Sequence, residues 1–152
     1  MTTQLWTDAI GLFLFLTGFV IGLGAVTVID LHGFLGRKSS YWTEATTRTH
    51  KVTKPMIWIG ITLAIIGGLI FYRDSVFFGI PMMHAFMALG LIANGYFLSF
   101  KVSPFMLQRE KEGRSGELLP GSWQKKIIVS LIVSDILWWG GLILLVAYIV
   151  GK

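Results

Sequence analysis

The chain has 152 residues, 54% hydrophobic and only 14% charged, with a formal net charge of +5. A soluble globular domain is about 25% charged, so this composition, with a mean hydropathy of +0.70, argues against a water-soluble fold and for an integral membrane protein. The absence of cysteine excludes disulfides, thiolate metal sites and redox thiols. Imidazole chemistry is left to His32, His50 and His84.

The start, "MTTQLWTDAIG", lacks the basic n-region of a signal peptide, and the apolar run after it has no small-x-small cleavage site. It reads as a retained transmembrane helix. A span needs about 20 mainly apolar residues, and four segments qualify: 10–31, 55–72, 81–100 and 127–150. Pro55 and Pro81 suit the first turn of a helix, where a missing N–H costs nothing. The connection "YRDSVFFG" is short, which makes the second and third spans antiparallel neighbours. The connections 33–54 and 101–126 are polar, and the latter has room for an interfacial helix around Phe105 to Glu112. The expected fold is all-α: one integral membrane four-helix bundle occupying residues 1–152, with neighbouring spans antiparallel.

Cations set the orientation. Arg37, Lys38, Arg48, Lys51 and Lys54 lie in the first connection, and Lys101, Arg109, Lys111, Arg114, Lys125 and Lys126 in the third. The opposite face has Arg73 and Lys152. The positive-inside bias therefore places 33–54 and 101–126 in the cytoplasm and both termini outside, in the cytoplasmic (inner) membrane. The basic pI, near 9.7, is explained by this sorting and by contact with anionic lipid headgroups, without nucleic acid.

Lipid is as apolar as leucine, so helices in a bilayer meet through small residues and sparse polar contacts. Gly11, Gly18, Gly22 and Ala25 share one face of the first span, and Gly18 with Gly22 forms a GxxxG pair. Gly60, Ala64 and Gly67 or Gly68 form a stripe on the second. These stripes read as bundle packing. The alternative is a homodimer through the first-span GxxxG.

Ionisable groups at bilayer depth are costly, and each is a functional hypothesis by default. Asp135 lies on the order of 15 Å from the basic end of the fourth span, near the midplane. Asn94 and Thr62 fall within about a turn of it in depth, so hydrogen bonding among Asp135, Asn94 and Thr62 is one expectation. The alternatives are a protonatable or cation-binding Asp135, or one facing a partner subunit. A second cluster marks the cytoplasmic border: Asp30, His32, His50, Arg48 and Lys101. Here an ion pair between Asp30 and Arg48 or Lys101 is expected. Thr43, Thr46 and Thr47 offer N-caps to the second helix. Asp30, His32 and His50 have suitable ligand types for a metal, but an Asp-x-His step on a regular helix points two side chains about 200° apart. No metal site is assigned. His84, near the outer end of the third span, reads as a hydrogen-bonded neutral imidazole or as a haem or proton-handling residue.

Two local stretches, "TRTHKVTKPMIWIG" entering the second span and "MMHAFMALGLIANGYFLSFKV" forming the third, make the layout resemble small four-helix bacterial membrane proteins of the HemJ-like protoporphyrinogen oxidase and CopD-like copper-resistance group. The resemblance implies a redox- or haem-associated function, a haem b as cofactor and His84 as the matching ligand position. The oxidase-like proteins have a histidine within the first span and a lysine early in the third. Here the body of the first span has no histidine, and the third has no lysine before Lys101. Two further functions follow from the residues themselves. One is a proton or cation transport component using Asp135. The other is a structural or assembly subunit of a larger membrane complex. No nucleophile–base motif, phosphate loop or H-E-x-x-H motif assigns an enzyme class.

Overall fold

The computed structural model describes residues 3–151. Lys152, counted above with the outer cations, lies outside them. The described chain is helical, with α1 Thr3–Leu35, α2 Ser40–Phe71, α3 Ile80–Phe97, a π-helical turn Leu98–Val102, α4 Ser103–Lys111 and α5 Gly121–Val150. Four helical stretches are long and apolar enough to cross a membrane: α1, α2, α5 and the continuous run Ile80–Lys111.

Two boundaries differ from the sequence expectation. Most of the 33–54 connection is helical, because α2 already starts at Ser40. The true turn is short. Gly36 N–H closes onto His32 O at 2.8 Å, and Ser39 caps α2 by accepting from Trp42 N–H at 3.5 Å. Thr43, expected as an N-cap, lies inside the helix, and its hydroxyl donates to Gly36 O at 2.7 Å. Pro55 therefore stands in mid-helix rather than in a first turn. Pro81, by contrast, occupies the first turn of α3 as expected. A helix does form where one was expected, as α4, joined to α3 without a break. Ser103 N–H reaches back five residues to Leu98 O, and this wider turn accommodates Pro104, whose ring has no N–H to give and would crowd a regular turn.

α1 and α2 form the tightest pair, and glycine is the reason. A Cβ on Gly60 would stand 2.5 Å from Gly22 Cα, and one on Gly18 would overlap the Ala64 backbone. Gly67 lies equally close to the Phe15 backbone. The GxxxG pair is thus filled from within: Gly18 by α2, and Gly22 by Gly60 and the six-membered ring of Trp138. That face is not free to dimerise the protein. α3 packs chiefly on α5 and touches α2 little. The central layer, Phe19, Val26, Ile61, Leu91 and Trp138, is buried, with Trp138 fully so.

Candidate functional site: a polar cavity at the basic end

The bundle holds a cavity at each end. The one at the basic end encloses about 80 Å³ and draws its walls from the end of α1, the first half of α2, the π turn and the start of α5. Asp30, His50, Lys54, Trp58 and Ser99 bring polarity to otherwise apolar walls. Asp30 is 8% exposed, and its Oδ2 has no hydrogen-bond partner among the described residues. His50 Nε2 is also buried and unpartnered. Ser99 organises the opposite wall. Its hydroxyl accepts from Trp58 Nε1–H at 3.1 Å, and its carbonyl accepts from Lys54 Nζ at 3.5 Å. Buried polar atoms are normally paired, so two orphans on one small cavity mark a place where a further group could be bound.

The border cluster does not assemble as expected. Arg48 pairs with Glu44 on the exposed face of α2, and neither it nor Lys101 forms an ion pair with Asp30 among the described residues. His32 turns the other way: its Nδ1 lies 3.1 Å from Thr49 Oγ1 and its ring rests against Trp42. The cause is that α1 remains regular through Leu35, so Gly33 does not end it and Asp30 and His32 stay on different faces. Among the described residues no three potential ligands converge as a metal site.

The expected midplane network is also replaced. Asn94 donates to Ser130 O at 3.0 Å and accepts from Ser130 Oγ at 2.6 Å. This joins α3 to α5 one turn from Asp135 without involving it. Thr62 is exposed on α2. Asp135 is partly buried, lacks a hydrogen bond or ion pair among the described residues, and is close enough to Asp30 for the two charges to interact.

His84 faces the other cavity. Its Nε2 lies 2.8 Å from Gly141 O, which can only accept, and its Nδ1 lies 3.1 Å from Tyr72 OH. A neutral ring with the proton on Nε2 satisfies both, with Tyr72 donating. Both nitrogens are engaged, and His32 and His50 belong to the basic end. His84 therefore has no free nitrogen to offer a haem, and the unpartnered His50 Nε2 lies at the opposite end of the bundle.

Sequence reading missed Lys54, Trp58 and Ser99 as cavity residues. Their 41- to 45-residue separation along the chain carries no local signal. It also missed Arg109, which is 6% exposed and donates to Glu117 O at 3.1 Å and Leu118 O at 3.4 Å. Arg109 thereby folds the loop that brings Leu119 over the cavity. The chain matches no protein-family model, no curated protein and no solved structure.

Proposed function

We propose that the chain is a transport component of the cytoplasmic membrane, binding a proton or a small cation at Asp30 with Asp135 as the second carboxyl. The observation that carries this reading is Asp30 itself: a buried carboxyl with an unpartnered oxygen, on a cavity at the basic end of the bundle. Two carboxyls on facing helices attract a positive charge. The positive-inside bias puts that cavity on the cytoplasmic side and both termini outside. The second cavity lies toward the opposite end, with Ile61, Leu91 and Trp138 of the buried core in its wall. The redox- or haem-associated reading would rest on His84, whose nitrogens are already bonded.

The test is flux into liposomes holding the purified protein, with separate dyes for protons and sodium. Asp30→Asn should abolish uptake of the transported ion while the circular dichroism and elution volume stay unchanged. Asp135→Asn should reduce it. Uptake in the folded Asp30→Asn protein equal to that of the native chain would rule the proposal out.

A further inference from the structure

Asp30 Oδ2 is buried with almost no accessible surface, and nothing among the described residues bonds to it. An ion that meets this oxygen must fit without a space of its own. A metal cation does not, because it exchanges its hydration shell for several oxygens held at once. The cavity at the basic end has no such set to offer. Asp30 is the only carboxyl in its walls, and among the described residues no three potential ligand side chains converge. Ser99 brings a hydroxyl and a carbonyl, but the hydroxyl accepts from Trp58 Nε1–H and the carbonyl from Lys54 Nζ.

Charge points the same way. Arg37, His50 and Lys54 stand in the walls against the single carboxyl of Asp30, while the π turn contributes Ser99 and no charge. Asp135, from α5, interacts with Asp30 but is not part of the walls. A metal cation entering the cavity would add to an excess of positive charge. A proton meets the same repulsion, but it forms an O–H bond, needs no coordination shell and removes the one negative charge from the walls. A buried carboxyl without a partner is far less costly neutral than ionised.

We infer that the ion bound at Asp30 is the proton, and that metal cations are not bound there. The inference narrows the transport reading above and rests on it.

The test is infrared difference spectroscopy of the full chain in liposomes as the pH is lowered, which reads the C=O band of a carboxyl gaining a proton. A band that Asp30→Asn removes is expected, with a midpoint that a tenfold rise in sodium or potassium leaves unmoved. Competition from a bound metal cation would lower that midpoint by about one pH unit, and such a shift would overturn the inference. Because Asp30 is packed into the end of α1, Asp135→Asn provides a second variant at a less buried position. It should keep the band, and loss of the band there would place the proton on Asp135 and overturn the inference. In the flux assay, sodium uptake that Asp30→Asn abolishes would overturn it while sustaining the transport reading. Uptake of neither ion, together with a sodium-insensitive Asp30 band, would overturn the transport reading and sustain proton binding at Asp30.

Discussion

Asn94 and Ser130 show what a polar residue in a bilayer does when it has a partner. The amide gives and receives, so donor and acceptor are both satisfied across the α3–α5 contact. Interhelical hydrogen bonds in membranes are each worth about 0.6 kcal/mol, up to about 2. Asn94→Ala should therefore lower unfolding stability by about 1–2 kcal/mol in a detergent titration, without abolishing ion flux. Asp30 is the contrasting case, because no such partner reaches its Oδ2. The sequence marks both residues as unusual for their depth. It cannot say which is clasped, because that depends on whether a hydroxyl 36 residues away faces the amide. The same limit explains Trp138, which reads as one aromatic of a pair with Trp139. Trp138 is wholly buried while Trp139 is 50% exposed, a difference set by which helices surround α5.

At the scale of the element, the α1–α2 pair depends on backbone contact. Gly60→Ala places a methyl 2.5 Å from Gly22 Cα, where only backbone could yield. Overpacking of this kind costs about 1–3 kcal/mol. Gly24→Ala is the matched control, since nothing lies within 4 Å of a Cβ there. The expected outcome is a clear fall in melting temperature for the first variant and none for the second. The loop after α4 rests on one side chain. Arg109→Ala removes the donor shared by the carbonyls of Arg114, Glu117 and Leu118, and limited proteolysis should then cut between Glu112 and Pro120 faster than in the native chain. The periodicity of small residues was legible in the sequence, and so were the four apolar runs. The stretch TEATTRTHKVTKP was legible as the amphipathic start of the second helix, and the structure moves its cap from Thr43 back to Ser39.

On the scale of the whole molecule, the cations gather at the end where α1 and α3 finish and α2 and α5 begin. A bilayer orientation follows from that asymmetry and can be measured directly, since the chain has no cysteine of its own. Val76→Cys, in the short connection, should react with a membrane-impermeant maleimide in intact cells. Glu112→Cys, in the long one, should react only after permeabilisation, and the reverse pattern would invert the assigned topology. Composition, the lengths of the apolar runs and the placement of Lys and Arg determine by themselves that this is a four-helix chain suited to a membrane, because the energies involved are summed over whole segments. The tertiary structure alone decided that Gly18 and Gly22 are used up inside the chain. It also decided that Asn94 bonds to Ser130 rather than to Asp135, and that the cavity at the basic end holds an unpaired carboxyl oxygen. Those outcomes depend on helix rotation and on contacts between residues distant in sequence. A one-residue shift in either turns a side chain by about 100°, from a cavity to a neighbouring helix or to lipid.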